Sequence, residues 1–366
     1  MATRLAILGA TGSIGRQALE VARMHPDRLS VVALGANRRA RELASLADEF
    51  PDARTAMGAA GLLDLATHAD ADLVLVATPG VAALQATFAA LQSGKSVALA
   101  NKEVLVAAGH LVRELVGGAG ERLRPVDSEH NGLWQCLAGE RPELVRRVAL
   151  TASGGAFRDR PRSDLHHVTP DEALRHPTWK MGVKVTVDSA TLVNKAYEVV
   201  ETRWLYGLPY DRVDIVLHEE SLVHALVEYV DGSVKAQLAE PDMRLPIQYA
   251  LLWDRAPSPA RRLDWTLART LHFGPIEPQR YPCLEVVLDA ARSGDLGAMV
   301  GVSAADELAV ERFLGGEMPF TGIADVLRRG AELGSREGGG RAPDLDEVVA
   351  IDRAVRAKLA AVPAAA

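Results

Sequence analysis

Four short apolar runs, Leu5–Leu8, Val31–Leu34, Leu73–Val76 and Ser96–Leu99, constrain this chain more than any other feature. Each is followed by an amphipathic segment, near 14–24, 39–49, 80–93 and 103–116. Strands buried on both faces read as continuous apolar runs, and strands alternating with helices build a parallel sheet covered on both sides. The predicted class is therefore α/β, opening with a doubly wound domain over 1–126. Between its first strand and first helix lies Gly9-Ala10-Thr11-Gly12-Ser13-Ile14-Gly15. Glycines there permit a tight turn and close backbone approach to a pyrophosphate, and the helix N-terminus offers free N–H groups and a positive dipole end.

The pattern changes after about residue 126. Residues 145–152 and 182–188 read as strands and 189–206 as a helix. Asp231-Gly232 between the alternating runs 221–230 and 233–238 is a hairpin signal. These predict a central α/β domain over 127–253. Residues 254–280, rich in Pro and Arg, read as a linker. Residues 281–366 read as a helical bundle with breaks at Ser293-Gly294, Gly315-Gly316 and Gly338–Gly340, ending in a frayed tail, Val362–Ala366. A chain of 366 residues accommodates these two or three domains.

Charge excludes some functions. With 41 Lys and Arg against 48 Asp and Glu, the net charge is −7, a poor basis for binding nucleic acid. No long basic run serves an anionic membrane surface, and no apolar run reaches the roughly 18 residues that span a bilayer. The N-terminus is a strand and a glycine turn, which leads us to expect a cytoplasmic protein. Cys136 and Cys283 cannot form a disulfide framework and have no zinc-like spacing, so they are expected to be buried thiols.

Several constellations carry chemistry. After the second strand, Gly35-Ala36-Asn37-Arg38-Arg39 has two guanidinium groups and no acid, which favours NADPH over NADH; the alternative is a solvated helix start. In Pro125–Asn131, Asp127 and Glu129 would point the same way on an extended backbone, as ligands of Mg²⁺ or Mn²⁺; equally, Asp127 could open a helix with Glu129 in its first turn. Asn194, Lys195 and Glu198 share a face if they are helical, or the last two form a surface pair. Ser153-Gly154-Gly155 could hold a phosphate or be an ordinary turn. Residues 157–181 contain His176, Trp179 and a capping box, Thr169–Glu172, and form a candidate lid.

Taken together, Gly9–Gly15, Leu99–Glu103, Pro125–Asn131, Ser153–Gly155, His176–Gly182, Val187–Thr191, Asn194–Lys195 with Glu198, Glu240–Arg244 and Arg280–Leu284 resemble the 1-deoxy-D-xylulose 5-phosphate reductoisomerases over essentially the whole chain. The resemblance implies a homodimer with a Rossmann-like NADPH domain, a central catalytic domain and a C-terminal helical bundle. It implies metal ligands at Asp127, Glu129 and Glu198. Lys102, Glu129 and Lys195 would be catalytic. Substrate would meet Lys102, Ser128, Glu129, Ser153, His176, Ser189, Asn194, Lys195 and Glu198 beneath Trp179. Cofactor would meet Thr11, Gly12, Ser13, Ile14, Gly35, Asn37, Arg38, Asn101, Glu103 and Gly182.

The implied reaction joins a retro-aldol/aldol isomerisation to reduction by NADPH, with Mg²⁺ or Mn²⁺, on the non-mevalonate route to isoprenoid precursors. Departures from the family pattern, at Gly35–Arg38, His218–Ser221 and Ser303–Glu307, replace no implied metal or substrate ligand. Another NADP-dependent dehydrogenase would need no carboxylate set, and a non-enzymatic NADPH sensor would need neither lid nor lysines.

Overall fold

A computed structural model of the chain describes residues 1–361, without the side chains of Val81 and Ala82; the tail expected to fray lies outside them. The first half runs β1 (Thr3–Leu8), α1 (Ser13–Met24), β2 (Leu29–Ala36), α2 (Ala40–Glu49), β3 (Arg54–Met57), α3 (Gly58–Ala66), β4 (Leu73–Val76), α4 (Val81–Gln92), β5 (Ser96–Leu99), α5 (Glu103–Val116) and β6 (Leu123–Pro125). The strands form one parallel sheet in the order β3-β2-β1-β4-β5-β6. The four apolar runs lie at its centre. The order reverses between β1 and β4, which opens a crevice at the strands' carboxyl ends, where ligands bind in such sheets.

The chain continues through α6 (Ser128–Leu137), β7 (Val145–Ala152), α7 (Pro170–Ala173), α8 (Val183–Thr191), α9 (Val193–Tyr206), β8 (Val213–Leu217), β9 (Val223–Tyr229), β10 (Val234–Leu238), α10 (Arg244–Leu252) and β11 (Gly274–Pro275). A mixed sheet orders its strands β10-β9-β7-β8-β11. The expected hairpin joins β9 to β10, with Ser233 N–H donating to Asp231 Oδ1 at 2.9 Å.

The structure corrects three expectations. Residues 182–188 are helical, not extended. Their alternating valines do not share one environment: Val183 is 58% exposed and Val187 fully buried. Thr186 Oγ1 instead bonds back to Gly182 O at 2.9 Å, one helical turn earlier. The helix expected over 189–206 is two helices, broken at Leu192, whose φ of 59° is left-handed. The segment 254–280 is not purely a linker, since β11 within it pairs with β8.

Four helices close the chain: α11 (Pro282–Ser293), α12 (Leu296–Leu314), α13 (Ile323–Gly338) and α14 (Leu345–Ala360). One apolar core runs from a face of the first sheet through the second sheet into this bundle. A smaller core on the opposite face joins α1 to Ile247, Ala250 and Leu251 of α10. The cleft between the sheets is thus walled by both cores.

Helices α12 and α13 meet backbone to backbone. A Cβ on Gly301 would lie 2.0 Å from the Gly330 carbonyl oxygen, with no flexible side chain there to yield. Gly301→Val should therefore cost about 3 kcal/mol through overpacking. Denaturant melts of the variant check this, and an unchanged midpoint would contradict the packing.

Candidate active site

A cleft opens between the two sheets, and its floor is charged. Asp127 and Glu129 stand at the start of α6 rather than on an extended strand, so the helix-start alternative describes the backbone. Their side chains do not cap that helix. Lys102, at the head of α5, pairs with Asp127. Lys195 Nζ donates to Glu129 Oε1 at 2.6 Å and to Glu198 Oε2 at 2.5 Å. Asn194 Nδ2 reaches Glu198 Oε1 at 2.7 Å, the spacing expected of neighbours on one helical face. Ser128 Oγ donates to Glu129 Oε2 at 2.6 Å.

Three carboxylates already outnumber the two ammonium groups here, and Glu201 adds a fourth at 3.6 Å from Lys102. Burial and the neighbouring Glu129 push the Glu198 carboxyl up to about 7, despite both lysines. Burial also opposes ionisation of Asp127, but Lys102 and His130 outweigh it and hold that group well below the usual carboxylate range. Both lysines stay above their ordinary value, because the carboxylates outweigh the cost of burial.

Oxygens of Asp127, Glu129 and Glu198 all lie within 4.8 Å of one another, a compact set of hard donors in a pocket with excess negative charge. These residues fit a divalent cation of the magnesium class. Asp127, His130 and Glu201 form a second such group, but His130 and Glu201 do not face the cleft.

The opposite wall carries neutral donors. Ser153 follows β7 directly and begins a turn whose Gly155 (φ 72°) touches α8: a Cβ there would meet Ser189 O at 2.4 Å. That approach brings Ser153 Oγ to 2.9 Å and Ser189 Oγ to 3.1 Å from His176 Nε2. His176 Nδ1 accepts from the N–H groups of Thr178 and Trp179, so the proton sits on Nε2 and the ring is neutral. The break at Leu192 turns α9 back so that Asn194 faces the same cleft. Trp179 lies across it, its ring centroid 5.9 Å from that of His224. The expected capping box is present at Thr169 and Glu172.

On the nucleotide side, Ser13 and Ile14 face the cleft, with Gly12 at the N-cap of α1. Thr11 faces a separate hollow between α1 and α2. Gly35 is buried one residue before the end of β2, and Asn37 and Arg38 are exposed beyond that strand. Arg39 donates to Thr11 O at 3.1 Å and stands at the N-cap position of α2 without a side-chain capping bond, at an exposed helix start. Gly182 faces the cleft at the end of the lid, whereas Asn101 and Glu103 do not. Asn101 braces the turn before α5 through Thr78 O and Val104 N–H, and Glu103 bonds Lys184.

Sequence reasoning missed His218, Ser221, His224 and Met243, which line the cleft. His218 Nε2 accepts the N–H groups of Leu222 and Val223, shaping a turn in which Ser221 has φ 53°. The polar run His218–Ser221 at a strand end was the one available signal.

Burial, then the neighbouring Arg158, pushes His176 down from its ordinary 6.5 to about 4. The fold favours the neutral ring, so the stability this confers is complete above about pH 6.5 and is lost as the pH falls through 4. NMR titration should find His176 neutral at pH 6, and a midpoint at or above 6.5 would overturn the hydrogen-bond assignment.

Known proteins resemble this chain in sequence and fold. The 1-deoxy-D-xylulose 5-phosphate reductoisomerase family model matches residues 5–57 and 51–109, and models of its C-terminal domains match 123–206 and 238–358. The reductoisomerase of Thermomicrobium roseum is 45% identical, covering 96% of this chain and 95% of its own length. That of Geobacillus kaustophilus is 45% identical over 96% and 97%. A crystal structure of DOX-P reductoisomerase with NADPH, fosmidomycin and magnesium superposes with TM-score 0.92 at 35% identity, covering 98% of each chain. The Zymomonas mobilis enzyme with NADPH gives 0.85 at 36% identity over 99% of each chain. With its charged cleft between a parallel nucleotide-type sheet and a mixed sheet, and with this similarity along nearly its full length, the chain belongs to the 1-deoxy-D-xylulose 5-phosphate reductoisomerase family.

Proposed function

We propose that this protein converts 1-deoxy-D-xylulose 5-phosphate and NADPH to 2-C-methyl-D-erythritol 4-phosphate and NADP⁺, in the non-mevalonate route to isoprenoid precursors. The observation that carries this reading is one cleft with a carboxylate–lysine floor, a wall of neutral anion donors and a glycine-turn helix N-terminus at its edge. Relatives of that name share the whole chain, and a close structural neighbour holds NADPH and magnesium.

The substrate phosphate fits the wall of Ser153, Ser189, Asn194 and neutral His176, whose hydroxyl, amide and Nε2–H groups donate without adding charge. Holding the phosphate there retains the fragment that carries it while the C3–C4 bond breaks and the carbons rejoin in the new connectivity. Lys102 and Lys195 remain ammonium at neutral pH and stabilise negative charge that develops on the reacting oxygens. Ser128 orients Glu129. Asp127, Glu129 and Glu198 would hold Mg²⁺ or Mn²⁺, which when bound supplies Lewis acidity. Thr11, Gly12, Ser13, Ile14, Gly35, Asn37, Arg38 and Gly182 would hold NADPH, which when bound would supply the hydride. Asn101 and Glu103 act one layer back, bracing the helix that carries Lys102. Trp179 covers the site and excludes water.

In this reading 1–126 binds cofactor, 127–253 is catalytic with its lid near 157–181, 254–280 connects, and 281–366 is the helical bundle. A homodimer is supported by exposed Trp265, Leu267 and Phe273 and by the unpaired edge of β10. Residence in a reducing cytoplasm is supported by two buried free thiols, Cys136 and Cys283. No described helix is long and apolar enough to cross a membrane.

Purified protein should oxidise NADPH only with both 1-deoxy-D-xylulose 5-phosphate and Mg²⁺ or Mn²⁺ present. Turnover that persists in EDTA would sink the metal assignment. Glu198→Gln should lower kcat by more than about 100-fold, since even groups behind a metal ligand cost 10–100-fold, with the fold intact by circular dichroism. Retained activity would refute its role.

A further inference from the structure

Behind the cleft lies a second buried charge cluster, which the proposed chemistry does not use. Lys184 stands in the first turn of α8, where a cation opposes the helix dipole. Its ammonium has three hydrogens and meets three carboxylates: Glu103 Oε1 at 3.0 Å, Asp188 Oδ2 at 2.8 Å and Asp306 Oδ2 at 2.5 Å. It also lies 5.0 Å from the centroid of the Tyr197 ring, and the Tyr197 hydroxyl donates to Asp306 Oδ2 at 3.2 Å.

Each partner belongs to a different structural unit. Glu103 follows Lys102 at the head of α5. Asp188 precedes Ser189, whose hydroxyl joins the His176 hub. Asp306 lies in α12 of the C-terminal bundle. Lys184 itself follows the lid by two residues. We infer that Lys184 is a positioning residue: by binding Glu103, Asp188 and Asp306 at once, it fixes α8 so that Ser189 and the carboxyl end of the lid stay in register with Lys102. Through it the C-terminal bundle reaches the active site without touching substrate.

The charge balance agrees. Three carboxylates face one ammonium, and Asp188 Oδ1 and Asp306 Oδ1 are buried with no hydrogen-bond partner. Burial and the facing carboxylate push Asp188 well above its ordinary range; burial raises Asp306 as well, against the pull of Lys184. Lys184 stays an ammonium, because its three carboxylates outweigh its own burial.

This inference rests on the proposed function for its kinetic readout but not for its structural one. In the full-length protein, Lys184→Met should raise KM for the sugar phosphate at least tenfold while kcat changes less than threefold. Amide hydrogen exchange over residues 176–192, measured without any ligand, should quicken by at least tenfold while α1 and β1 are unchanged. Lys184→Arg should restore both. If Lys184→Met does not fold, Asp306→Asn decides: KM and exchange should move the same way by about threefold. A folded Lys184→Met, or failing that Asp306→Asn, with KM and exchange like the parent overturns the inference, as does a Lys184→Arg protein no better than Met. A parent protein without turnover overturns the proposed function alone, and the exchange comparison then decides the role of Lys184.

Discussion

Asp127, Glu129, Glu198 and Glu201 are drawn together beneath one cleft, answered there by Lys102, Lys195 and His130. Burying so many charges is costly unless each is paired, and an unpaired one would be worse. The rest of the molecule serves to make that gathering tolerable. Helices α5, α6 and α9 each deliver charges to the same point, and the larger apolar core packs all three helices against the sheets.

The cleft separates two kinds of anion recognition. Its floor manages charge with charge, through ammonium groups and an excess of carboxylates suited to a divalent cation. Its wall uses neutral donors, because His176 is kept uncharged by the two backbone N–H groups that point at Nδ1. A protein of net charge −7 thereby gathers neutral and cationic hydrogen-bond donors around one cleft.

The Lys184 cluster repeats the device one layer back. There the balance of one ammonium against three carboxylates fastens elements together rather than facing a ligand. Helix α8 lies between the two clusters, with Ser189 at one end and the lid at the other.

The central strands of the first sheet, the β9–β10 hairpin and the C-terminal breaks were legible because each depends on local chemistry: apolar runs, Asp231-Gly232, and glycines that accept left-handed φ. The shared face of Asn194, Lys195 and Glu198 was legible for the same reason, since helical spacing is local. What sequence could not determine was set by contacts distant along the chain. The valines of 183–187 alternate like a strand, yet α8 is helical because Val187 is buried while Val183 stays exposed. Asp127 and Glu129 converge although they open a helix, because Lys102 and Lys195 arrive from elsewhere to meet them. Leu192 takes a left-handed turn that nothing in its neighbours announces, since only packing between α8 and α9 compensates the strain. The sequence alone determined the local elements and the spacing of the candidate charged and polar residues along them; the tertiary structure decided how those residues meet, because buried charge is stable only where partners from separate elements surround it.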